Sequence, residues 1–199
     1  MSSETPAAVK GAEAVFGDAW TVIQAMAKDP IGAQASECAR LGPARALNVG
    51  GLLAIIAAIA STIGTISGVS AAFGAFGGFG RGGNSASAFF QVLFTTLIFL
   101  VVAAGVAFLV RRLQNSNAAF APDLFTVGTA ALPMGVAVLL AGVIGAWQLG
   151  ALLSVAGLVY FILLLYTGLT SLAGLTVRVA PLVVAAMLVI GTLITQALM

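Results

Sequence analysis

From Leu124 to Thr176 the chain reads LFTVGTAALPMGVAVLLAGVIGAWQLGALLSVAGLVYFILLLYTGLTSLAGLT, with no charged residue anywhere in it. A helix needs about 20 mainly apolar residues to cross a bilayer, so this run is about twice the length of one span. It must fold back once, and GAWQLG, from Gly145 to Gly150, is the natural break. Trp147 in that break is a candidate anchor at the water interface, where aromatic belts lie. Two spans follow, about 124–147 and 151–173. Outside this run, the only charges beyond Arg45 are Arg81, Arg111, Arg112, Arg178 and the single acid Asp123. The gaps between them define the other spans at about 46–70, 88–110 and 177–199. The expected fold is an all-α integral membrane protein with five transmembrane helices, preceded by a segment 1–45 that stays in the cytoplasm.

Composition leads to the same class. Of 199 residues 61% are hydrophobic and 7% charged, with a mean hydropathy of +1.15. A soluble domain is about half apolar and about a quarter charged. Disorder is excluded too, because it needs low hydrophobicity and high charge. Cys38 is the one cysteine and cannot close a disulfide within the chain; with no histidine, zinc and imidazole chemistry are also disfavoured. A net charge of +2 is too small a footing for nucleic acid.

Orientation follows from where the basic residues fall. With five spans, Lys10, Lys28, Arg40, Arg45, Arg111, Arg112 and Arg178 share one side, and Arg81 alone faces the other. The expectation is a cytoplasmic N-terminus and a periplasmic C-terminus in a bacterial inner membrane. No basic start followed by a short apolar run marks a signal peptide, since the first continuous apolar run begins at Ala46.

Within the first 45 residues, Val15, Phe16, Ala19, Trp20, Val22, Ile23 and Met26 recur at helical spacing, largely facing away from Glu13, Asp18, Gln24 and Lys28. Pro30 should end that helix, and a second short helix of about 32–40 precedes Leu41-Gly42-Pro43. Two placements stay open. The helix packs on the ends of the bundle, or it lies among the headgroups with Phe16 and Trp20 as interface anchors.

Chemistry-bearing residues are sparse. An ionisable residue inside a span would be the default site, at an insertion cost of roughly 2.5–3.5 kcal/mol. The spans carry only uncharged polar residues, chiefly threonines, and no nucleophile with a base beside it. This reads as a protein without enzymatic activity, cofactor or metal. Pro133 falls well inside the third span and is a candidate helix kink, while Pro181 sits in the first turns of the fifth, where its missing N–H costs little. Asp123 follows Pro122 at a helix start and is placed to pair with Arg111 or Arg112 across a short loop, worth at most about 1 kcal/mol if exposed. The glycine-rich stretch 64–83 should fray into an irregular loop past Ser70. Its Gly64/Gly68 and Gly74/Gly78 spacings permit close helix approach or an oligomer contact, and a flexible hairpin is the plainer reading.

These stretches resemble the Yip (Ypt-interacting protein) family of five-span membrane proteins. The resemblance rests on four stretches: an amphipathic helix ending in Lys28-Asp29-Pro30 before ARALNVGGLL (Ala44–Leu53), FAPDLFTVGTAALP (Phe120–Pro133), GLVYFILLLYTGLTSLAGL (Gly157–Leu175), and the following Thr176-Val177-Arg178-Val179-Ala180. It covers nearly the whole chain. The zinc ribbon that some bacterial relatives carry is missing here. The resemblance implies no catalytic residues and a role in organising membranes, with partners among membrane lipid, other membrane proteins or further copies of the chain. The leading expectation is thus a non-enzymatic scaffold or partner subunit of an inner-membrane assembly. Two alternatives remain: a small oligomeric permease or channel, whose path would be lined by Thr126, Thr129, Thr167 and Thr170, and a lipid-binding or membrane-shaping protein acting through the 9–29 helix.

Overall fold

The computed structural model describes residues 7–75, 85–114 and 119–197. Among them every regular element is helical: α1 (Ala7–Lys28), α2 (Gly32–Ala75), α3 (Ser85–Leu113), α4 (Ala121–Ile144), α5 (Trp147–Ser171) and α6 (Ala180–Ala197). Five of the six, α2 to α6, are long and apolar enough to cross a membrane. The protein is a membrane-embedded bundle of helices.

The breaks between elements have local causes. Asp29 ends the first helix region and accepts the Gly32 N–H at 2.9 Å, capping α2. Inside α2, Gly42 takes φ 70° and ψ 170°, a conformation open essentially to glycine, and Pro43 follows. A short helix of residues 32–41 therefore turns sharply into the first span. The uncharged run breaks where expected: Gly145 caps α4 in the left-handed region at φ 67°, and its N–H donates to the Ala141 carbonyl. Pro181 falls in the first turn of α6. One boundary differs from expectation. The first span does not fray past Ser70 but stays helical to Ala75; residues 76–84, with Arg81 and Gly78, lie outside those described.

Packing centres on α2 and α4. A Cβ added to Gly50 would stand 2.6 Å from the Phe125 Cα, and one added to Gly135 would stand 2.7 Å from the Ala57 carbonyl oxygen. Cβ atoms on Gly128 and Gly142 would meet the carbonyls of Gly50 and Gly64 more closely still. The two backbones touch at Gly50/Gly128, Ala57/Gly135 and Gly64/Gly142. Residue numbers rise together along both partners, so the helices are parallel. The contacts recur every seven residues, the 3.5-residue period of a left-handed pair. Lipid tails are as apolar as leucine, so membrane helices associate through close packing, and small residues allow it.

Helix α5 runs antiparallel along another face of α4. Gly157 faces Ala137, with an added Cβ 2.7 Å from the Ala137 Cβ, and Gly150 faces the Ala141 carbonyl. Helix α6 lies against α3, where Gly191 accommodates the Phe99 ring. The result leaves α4 unevenly covered. Nearly every residue from Ala121 to Ala131 is buried, whereas beyond that only Gly135 and Gly142 are.

The seam is open to test. Gly128→Leu should lower the stability of the detergent-solubilised protein by about 1–3 kcal/mol through overpacking. Gly105→Ala, inside α3 where nothing lies within 4 Å of the added Cβ, should not lower it and should raise it by up to about 1 kcal/mol. Thermal unfolding of the two variants beside the parent protein checks both.

Candidate functional site

The N-terminal helices form a hairpin that lies along the bundle. The buried stripe of α1 is Ala19, Val22 and Met26, with Val15 packed beside it. Phe16 and Trp20 point away from the core, 61% and 60% exposed. The apolar stripe read from the sequence therefore divides into two faces. Asp18 belongs to the inner face rather than the outer one, because it has partners there. Its carboxylate meets Arg45 at 2.6 Å and Arg40 at 3.4 Å, and Arg40 also holds Glu37 at 2.7 Å. Single pairs with exposed guanidinium groups are worth at most about 1 kcal/mol. Here one carboxylate ties α1 to both sides of the Gly42 bend.

Deeper in the hairpin, Gln34 is fully buried and its Nε2 donates to Thr129 Oγ1 of α4 at 3.0 Å. The Thr129 hydroxyl in turn bonds the Phe125 carbonyl at 2.8 Å. Gly168 of α5 completes the contact, since an added Cβ would stand 2.9 Å from Gln34 Oε1 and collide with the Thr126 side chain. Hydrogen bonds between buried side chains on different helices hold membrane helices in register. The cluster is uncharged, so it positions groups and carries no acid–base chemistry. Thr167 and Thr170 do not join it. They bond back to carbonyls of their own helix, at Leu163 and Tyr166, and are partly exposed. Thr126 and Thr129 are fully buried, whereas Thr167 and Thr170 lie part-way to the surface.

The second constellation joins α3 to α4. Arg111 Nη2 lies 3.3 Å from Asp123 Oδ2 and donates to the Ala119 carbonyl at 3.0 Å. Arg111 is 2% exposed and Asp123 not at all, so the pair is buried and the small value of an exposed pair does not apply. The Phe108 and Phe120 rings meet edge to face beside it, 5.6 Å apart. Arg112 does not share Asp123; its guanidinium sits over the Phe108 ring at 5.8 Å. Asp123 is in the first turn of α4, where the helix dipole favours a negative charge.

The remaining sequence candidates are placed as follows. Pro133 lies inside α4, which continues as one helix through it, and the Thr129 carbonyl loses the donor it would have had there. Trp147 opens α5, but its side chain lies outside the described residues. Among the described residues no three of His, Cys, Asp and Glu come together in a metal-holding group. Gln34, Arg40 and Arg45 gain roles that local sequence does not signal, because each is defined by a partner far along the chain.

Two expectations test these constellations. Removing one partner of a buried ion pair leaves an uncompensated charge, so Arg111→Met and Asp123→Leu should each cost about 3–5 kcal/mol, whereas the double variant should recover most of the loss. Thermal unfolding of the four proteins reads the cycle. Gln34→Leu should weaken the hairpin by about 1 kcal/mol, seen as faster amide hydrogen exchange over residues 20–41 with the spans unchanged.

Compared with known protein families, with curated proteins and with solved structures, the chain matches none.

Proposed function

We propose that this protein is a non-enzymatic scaffold or partner subunit of an inner-membrane assembly, similar to the Yip family, and that its docking element is the outer face of α1. The observation that carries this reading is the exposed Phe16–Trp20 pair on a helix clamped at Asp18. Tryptophan and its aromatic neighbours are enriched among the residues that dominate binding energy at interfaces. A face held rigid before binding loses little conformational freedom when a partner arrives. The seven basic residues grouped on one side support an N-terminus in the cytoplasm and a periplasmic C-terminus. In that orientation α1 offers its aromatic pair on the cytoplasmic side.

The test is site-specific photocrosslinking in native membranes. A benzophenone amino acid at position 16 or 20 should give a protein adduct of discrete mass. The same group at Leu152, an exposed position of α5, should give none. Adducts with lipid alone at positions 16 and 20 would overturn the scaffold reading.

A further inference from the structure

The groove that receives the α1–α2 hairpin continues past the hairpin's tip. Its continuation is an apolar cavity of about 410 Å³. Ala27 and Pro30 of the turn form one boundary, Pro133 and Leu140 of α4 the second, and Leu153 and Tyr160 of α5 the third. We propose that this cavity is a binding site for one acyl chain of a bilayer phospholipid, held apart from the lipid that merely surrounds the protein.

Continuity is the first argument. The hairpin docks between α4 and α5 through Gln34 with Thr129, next to Gly168, and the cavity extends the same cleft between the same two helices. An occupant would pack against the hairpin turn on one side and the two spans on the others. Charge is the second argument. No residue lining the cavity is charged, and the Tyr160 phenol is the single polar side chain in it. Lys28 and Asp29 of the turn are exposed outside this lining, so a charged headgroup or an ion would find no countercharge among the lining residues, and a peptide segment would leave its backbone N–H and C=O groups unpaired. A hydrocarbon chain has nothing to satisfy. Position is the third argument. Pro133 lies about 15 Å along α4 from Asp123, and Leu140 about 25 Å, at 1.5 Å per residue. The site is thus inside the membrane-crossing length of α4. Val136 and Leu140 on its rim are 44% and 46% exposed, so it opens sideways onto the bilayer. Its volume is too small for another helix, which is about 10 Å across with side chains.

The site does not rest on the docking role proposed for α1. It is tested on the full-length protein, reconstituted in nanodiscs of palmitoyl-oleoyl phosphatidylcholine, extracted in mild detergent and examined by native mass spectrometry. One phospholipid should remain bound per chain. Val136→Trp and Leu140→Trp, which fill the cavity from its rim, should each reduce that retention at least tenfold. Leu193→Trp on the exposed face of α6 should leave it unchanged. Exchange of phosphatidylcholine for phosphatidylglycerol should alter retention less than twofold, because the chain and not the headgroup is held. Thermal unfolding verifies that each variant is folded, and two independent filling variants guard against the loss of one. Retention that is equal in the filled variants and the parent would overturn the proposal. So would an isoprenoid or a second copy of this chain in place of phospholipid, a strong dependence on headgroup, or no lipid retained by the parent.

Discussion

The contact of backbone against backbone between α2 and α4 is the constraint from which the other features follow. Glycines on both helices bring the chains together at Gly50/Gly128 and Gly64/Gly142, and Gly135 meets Ala57 between them. Such a seam has no hydrophobic driving force within a bilayer, so its strength comes from dispersion over many close atoms. It also fixes register. With these two helices locked, the start of α4 is surrounded on all sides. Asp123 is thereby buried against Arg111, and Thr129 faces the place where Gln34 arrives. A shift of one residue along the seam would put side chains where carbonyls now lie.

A chain that is 7% charged uses its charges sparingly, and its described ion pairs are of two kinds. Asp18, Glu37, Arg40 and Arg45 sit where the arginines reach solvent, so their pairing is adjustable and individually weak. Arg111 and Asp123 are enclosed, so each needs the other. The first group holds an accessory hairpin, and the second fastens two membrane-crossing helices. The difference in burial corresponds to the difference in permanence.

Much of the architecture was legible because charge and length dominate it. The five spans, the fold-back near Gly145 and the short helix before Gly42 all follow from gaps between charges and from glycine and proline placement. Pairing across long distances was not. Gly64 and Gly68, four residues apart, both face α4 near Gly142, so their spacing did mark a close approach; the rest of the contact repeats every seven residues and includes an alanine, so neither helix reveals its partner alone. The periodicity of α1 could not show that its apolar residues serve two faces, since Asp18 looks like an outward residue until Arg40 and Arg45 are brought to it. Gln34 stands in an alanine-rich segment with no local mark of burial. Its partner is 95 residues away.

That separation has a consequence for biosynthesis. The cleft that receives the hairpin is built from α4 and α5, which leave the ribosome long after residues 7–41. Synthesis proceeds from the N-terminus, so the hairpin must wait, undocked, while the spans are inserted. The two helices of the hairpin meet the first span only at the Gly42 bend, where the chain turns in a conformation that glycine alone adopts readily. Docking of the hairpin therefore waits on α5, and an early segment of the chain is completed only by helices made well after it.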